Sequence, residues 1–169
     1  MPRLFALDHN FPQPIVQVLS SFQADAELVR VDQIDSRMPD LDDWELLLAL
    51  HHHAEAWDGL ITTDSSMLKQ GPELAALIQT KLTLVVALES GHNPVKASGL
   101  LFAYLEGICQ RTTPDKPQAW TPRAVNRAHN EPWDYVKQLA EHNNRSTDDV
   151  WKEFQLSSKQ LAHDPLADD

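Results

Sequence analysis

The apolar positions of this chain change period repeatedly over its first 110 residues. Arg3–Leu7 (RLFAL) is a short apolar run, the mark of a buried strand. Pro12 and Pro14 open a segment in which Ile15, Val16, Val18, Leu19 and Phe22 predict a helix with proline in its first turn. Glu27–Val31 alternates like a strand, and residues 32–42 read as an acidic loop around Pro39. Asp42 or Asp43 starts a helix with the stripe Leu46, Leu47, Leu50, Ala54 and Trp57, which Gly59 is expected to end. Leu60–Thr62 follows as a short buried strand, then Pro72–Thr80 as a helix and Lys81–Leu88 as the clearest strand. Gly91–Pro94 is a turn, and Val95 to about Cys109 is a helix with Leu100, Leu101, Tyr104, Leu105 and Ile108 on its apolar face.

The order β-α-β-α-β-α-β-α predicts an α/β three-layer sandwich around a mostly parallel central sheet. Residues 1–110 form this domain. Residues 111–169 read as a Pro-rich arm and short helices, an extension for docking or oligomerisation. Pro114, Pro117, Pro122 and Pro132 mark a linker or wrapping arm over 112–132. Trp133, Val136 and Leu139 then predict one short helix. Ser146 and Asp149 resemble a capping box for a second, carrying Val150, Trp151 and Phe154. These aromatic helices are expected to dock on the same chain or on a second copy, and the last residues, DPLADD, to fray.

Composition narrows the classes. At about 150 residues per domain, the 169 residues allow one domain with a tail. Cys109, the single cysteine, excludes an internal disulfide and a cysteine metal cluster, and a cytoplasmic setting fits. No apolar run approaches the ~18 residues of a membrane span, and the apolar stretch at the start is too short for a secretory signal. The formal net charge is −11. Residues 25–58 concentrate it, with ten acids against Arg30 and Arg37. Such acidity disfavours broad, non-specific nucleic-acid binding.

Three of the acids stand where chemistry is usual. Asp8 follows the first strand and Asp64 the third, and ligand sites of parallel sheets lie outside the carboxyl ends of strands. Either acid alone is as readily a helix cap. Asp43 precedes Leu46, Leu47 and Leu50 by three, four and seven residues, on the face of the buried stripe. With Asp42 beside it, one acid can cap while the other points at a site. Three convergent carboxylates raise one another's proton affinity, and a hard divalent cation, Mg²⁺ or Mn²⁺, relieves this. The implied chemistry is metal-dependent phosphodiester hydrolysis. Asn10, Thr62, Thr63 and Ser66 are supporting candidates, and Glu89 is a further acid at a strand end. His51, His52 and His53 point about 100° apart on a helix and cannot all ligate one ion, so solvated or partner-facing roles suit them. Walker A, nucleophile-elbow and dinucleotide fingerprints are absent.

LFALDHNFP followed by DDWELLLALHHHAEAWDGLITTDSSM resembles the PIN-like nucleases, particularly the short prokaryotic kind related to VapC-type toxins. Asp8-His9-Asn10 with Pro12, Asp43-Trp44-Glu45-Leu46 and Thr62-Thr63-Asp64 match the family's elements in order over roughly residues 3–90. The resemblance implies a parallel sheet between helices, a Mg²⁺ or Mn²⁺ site on Asp8, Asp43 and Asp64, and ribonuclease activity. It also implies an antitoxin partner and a homodimer. The chain departs from the pattern at Ser66, where the fourth acid usually stands, at Met67 in place of Phe, and at His9. A fourth ligand then comes from elsewhere, such as Glu89. The alternatives are a catalytically weakened PIN-like binding or regulatory module and a phosphohydrolase for a small substrate, although no D-x-D follows the first strand. RNA contacts would fall to residues such as Arg3, Lys69 and Lys96.

Overall fold

The computed structural model describes residues 2–11, 13–87, 93–123 and 127–167. In chain order its elements are β1 (Arg3–Leu7), α1 (Gln13–Phe22), β2 (Ala26–Arg30), α2 (Val31–Ile34), α3 (Asp43–His52), β3 (Gly59–Thr62), α4 (Gly71–Thr80), β4 (Thr83–Val86), α5 (Pro94–Arg111), β5 (Gln118–Pro122), β6 (Arg127–Asn130), α6 (Pro132–His142), α7 (Thr147–Phe154) and α8 (Ser158–Ala162). One sheet runs in the order β2-β1-β3-β4-β5-β6. Its first five strands are parallel, and β6 closes one edge antiparallel to β5. The protein is an α/β three-layer sandwich with a mostly parallel sheet.

Side-chain alternation along the strands builds the layers. Phe5, Leu7, Ile61, Val85 and Trp120 bury against α1 and α5. Ala6, Leu60, Leu84, Val86 and Ala119 bury on the opposite face, with Leu47 and Leu50 of α3 and Leu74 and Leu77 of α4. Strands covered on both faces read as unbroken apolar runs, which is why β1, β3 and β4 stand out in the sequence. Among the described residues, no helix is long and apolar enough to cross a membrane.

Several expectations are corrected. Residues 32–42 carry α2 and a 3-10 turn at Met38–Asp40, because Val31 and Met38 are buried and anchor that segment. Helix α3 stops at His52, where His53 turns extended with φ −60° and ψ 149°. Ala54 and Trp57 lie beyond it, although Trp57 is buried. Gly59 ends no helix. It begins β3, and a Cβ there would strike the Thr83 carbonyl of β4, so only glycine permits this strand approach. The strand expected over 81–88 is shorter, since Lys81 is the left-handed cap of α4 with φ 61°. The turn expected at Gly91–Pro94 lies largely outside the described residues.

The arm expected over 112–132 instead supplies β5 and β6. Ala119 and Trp120 bury on opposite faces of the sheet, as a central strand requires. Pro117 precedes β5 and Pro122 ends it, positions where proline's missing N–H leaves most of the ladder intact. The sheet therefore runs through the boundary placed near residue 110. The aromatic helices dock on the same chain: α6 and α7 pack against α4. Val136, Ala140, Val150 and Leu156 are buried there, and Trp133 meets Trp151 edge-on at 5.0 Å. Gly71 leaves room for the Phe154 ring, which a Cβ would strike. Gln79 clips the segment after α7, accepting from Leu156 N–H at 2.9 Å and donating to its carbonyl at 3.2 Å. Residues 164–167, expected to fray, form a turn on Asp164, with Leu166 against the core.

Candidate functional site

Strand order reverses between β1 and β3, and such a switch point opens a crevice at the carboxyl edge of a parallel sheet. Asp8 leaves β1 and Asp64 leaves β3 on either side of it. The strands fix their relation: Asp8 N–H donates to the Ile61 carbonyl at 2.9 Å. Thr62, fully buried, ties the two acids together. Its hydroxyl donates to Asp8 Oδ2 at 2.8 Å and accepts from Asp64 N–H at 3.0 Å. Replacing Thr62 with Val keeps the volume but removes both bonds and strips Asp8 of a buried donor. The expected loss is about 1–3 kcal/mol of stability, read by urea denaturation.

Each remaining candidate has a definite place. Asn10 donates to Asp8 Oδ2 at 3.2 Å, and His9 Nδ1 lies 2.8 Å from Asp8 Oδ1. Arg30 holds this loop by donating to the Phe11 carbonyl at 3.0 Å while pairing with Asp32. Ser66 N–H donates to Asp64 Oδ1 at 2.7 Å, so Asp64 caps the 3-10 turn Ser65–Leu68. Asp42 caps α3 in a capping box with Glu45, whose carboxylate accepts from Asp42 N–H at 3.2 Å. That leaves Asp43, the first residue of α3, for the edge. Glu89 lies outside the described residues.

Electrostatics couples the acids of this edge. Burial raises the proton affinity of Asp43 most, and the charges of Asp64, Asp8 and Asp42 raise it further, against a smaller opposing pull from His9. Asp8 and Asp64 are therefore felt electrostatically at Asp43. Sequence reasoning missed a fourth acid. Glu73, in the first turn of α4, is 7% exposed. Burial raises its proton affinity first, a hydrogen bond from its own backbone N–H opposes this, and the charges of Asp43, Asp42 and Asp64 add to the rise. Its Oε2 has no hydrogen-bond partner. Glu73 shares a cavity of about 440 Å³ with Asp42, Asp43, Trp44 and Gln70. In the sequence it looks like an ordinary first-turn acid. Only the packing of α4 on α3 brings it to Asp43.

The donor chemistry of this edge suits a hard cation: oxygen ligands, like-charge crowding on Asp43 and one orphaned buried carboxylate oxygen. Yet among the described residues, no three His, Cys, Asp or Glu side chains stand together as a ready-made metal cage. The histidine run supplies none. His52 Nε2 meets the Leu161 carbonyl at 2.8 Å, and His53 Nδ1 accepts from Glu55 N–H at 3.1 Å. Burial lowers the proton affinity of His51. Cys109 is buried on α5, and burial pushes its thiol up to about 11, which leaves it unreactive.

A second feature borders the acids. Lys69 and Arg123 line a cleft of about 380 Å³ with Ser65, Tyr135 and Gln138. Ser65 directly follows Asp64. None of the cleft's lining residues is acidic, despite the chain's charge of −11. Lys96 is exposed at the start of α5. Arg3, expected to contact RNA, is engaged at the opposite edge of the sheet. It pairs with Asp58 at 2.9 Å and donates to the Thr112 carbonyl at 2.7 Å. No family model, curated protein or solved structure matches this chain.

Proposed function

We propose that the protein is a PIN-like, Mg²⁺- or Mn²⁺-dependent ribonuclease that hydrolyses phosphodiester bonds at the carboxyl edge of its sheet. The observation that supports this reading is that Asp8 and Asp64 leave the two strands flanking the strand-order switch and that the charges of both raise the proton affinity of Asp43. Carboxylates that raise one another's proton affinity are relieved by a cation. Asp8, Asp43 and Asp64 would hold it. When bound, such an ion activates water and offsets charge on the phosphoryl oxygens. Thr62 and Asn10 orient Asp8 through the bonds at 2.8 and 3.2 Å. The cleft of Lys69 and Arg123 supplies positive charge for the flanking phosphates, and Tyr135 offers a ring for a base.

A 5′-labelled single-stranded RNA incubated with Mn²⁺ tests this. Cleavage is expected from the wild type and not from Asp64→Asn. Changing both Lys69 and Arg123 to Ala is expected to weaken RNA binding and flatten its salt dependence by about two phosphate contacts. Equal cleavage by wild type and Asp64→Asn would remove Asp64 from the chemistry. A second reading, an RNA-binding module without catalysis, is favoured by the lack of a ready-made cage of three ligands among the described residues. It predicts retained RNA binding with no cleavage in Mn²⁺.

A further inference from the structure

We propose that the exposed face of α5, with the end of α1 beside it, binds a second copy of this chain, the two α5 helices lying antiparallel across a two-fold axis near residue 101. This face lies across the sheet from α3 and α4 and shares no residue with the acidic edge, so it stands or falls independently of the ribonuclease reading.

Four large apolar side chains stand exposed among the described residues, and all four are on α1 and α5. Phe22 is 74% exposed, Val95 69%, Val18 51% and Phe102 40%. Exposed apolar residues scattered singly are ordinary. These are gathered, because α1 packs beside α5 and the rings of Phe22 and Phe102 meet edge-on at 5.9 Å. A contiguous apolar patch marks an interaction surface. On the other side of the sheet the helix layer is covered, since α6 and α7 pack on α4.

Charge decides what covers the patch. Two chains of net charge −11 repel over most of their surfaces. Residues 13–22 of α1 include no Asp, Glu, Lys, Arg or His, so that helix adds nothing to the repulsion. On α5 the exposed stripe runs Val95, Lys96, Gly99, Phe102, Ala103 and Glu106. A two-fold interface needs one face that complements itself. Reversed on itself about residue 101, this stripe sets Lys96 opposite Glu106 at both ends and Gly99 opposite Ala103 between them. A Cβ at Gly99 would have nothing within 4 Å, so the space above it is open to a partner helix. Phe102, with Phe22 beside it, falls next to the axis and against its own symmetry copy. The apolar contact supplies the affinity, and the two ion pairs fix the register.

Sedimentation equilibrium of the full chain over a concentration series is expected to show a dimer. Gly99→Arg sets two like charges against each other at the axis, and Phe22→Ser removes the apolar contact. Both positions are exposed, so both variants are expected to keep the wild-type circular dichroism spectrum while the dimer dissociation constant rises at least about tenfold. Lys96→Glu alone and Glu106→Lys alone each bring like charges together and should weaken the dimer, whereas the double variant Lys96→Glu/Glu106→Lys should restore it. Such rescue is specific to antiparallel pairing of the same helix. A wild type that stays monomeric overturns the proposal and leaves the face to a different protein. A dimer indifferent to both Gly99→Arg and Phe22→Ser is built elsewhere and overturns it as well. Failure of the double variant to restore a dimer lost in the single ones overturns the antiparallel register. Should Gly99→Arg or Phe22→Ser fail to fold, the charge exchanges at exposed Lys96 and Glu106 decide the matter in the same way.

Discussion

Asp43→Asn is expected to reduce RNA cleavage by on the order of 10²–10³-fold while making the metal-free protein more stable at neutral pH. The two effects have one origin. Asp43 opens α3 among Asp64, Asp8 and Asp42, and burial with these charges lifts its folded-state proton affinity above the ordinary carboxylate value. A carboxyl so raised binds its proton more tightly when folded than when unfolded. Its contribution to stability is thus fully present below about pH 4 and is lost as pH rises through the raised folded value. As pH rises the folded state bears more of the repulsion. Asparagine removes it along with a cation ligand. Urea denaturation in EDTA should show the variant ahead of wild type at pH 7 and level with it near pH 4. Gel-based RNA cleavage in Mn²⁺ should show the loss of activity. A variant that is less stable at neutral pH and cleaves at the wild-type rate would return Asp43 to a structural role.

Deleting residues 131–169 is expected to abolish cooperative folding. The sequence alone suggests an extension for docking or oligomerisation beyond the domain; in the structure α6 and α7 cover α4. Val136, Val150 and Leu156 are buried against it, with the Trp133–Trp151 pair alongside. Each large apolar side chain returned to water forfeits about 1.5–3 kcal/mol, and the α4 surface beneath is exposed as well. A whole domain of this size holds only about 5–15 kcal/mol. Circular dichroism melting should show a broad or absent transition for the truncated chain. A sharp transition near the wild-type temperature would mean the core closes without these helices.

The legible parts of the fold were those with local signals. Arg3–Leu7 and Leu60–Thr62 are apolar on both faces, and Pro14 opens α1 where proline suits a first turn. Residues 118–130 were illegible because Pro122 within them, with Pro114, Pro117 and Pro132 around them, outweighed a strand of only five residues. What makes β5 a strand is its pairing with β4, a contact made across α5 and invisible locally. The same contrast holds at the site. Asp8 and Asp64 could be placed because strand ends are readable and share an edge. Asp43 could be placed because a paired acid, Asp42, was available to cap. Glu73 could not, since its significance depends on how two helices pack. Trp57 misled in the opposite direction: its spacing continued the helix stripe, but a loop buries it.

The seat of Phe154 on Gly71 has a consequence for what the junction tolerates. Gly71 begins α4, so that helix starts under an aromatic ring from the far end of the chain. Any side chain at position 71 would have to push the ring aside, so the start of α4 and the end of α7 can change only together.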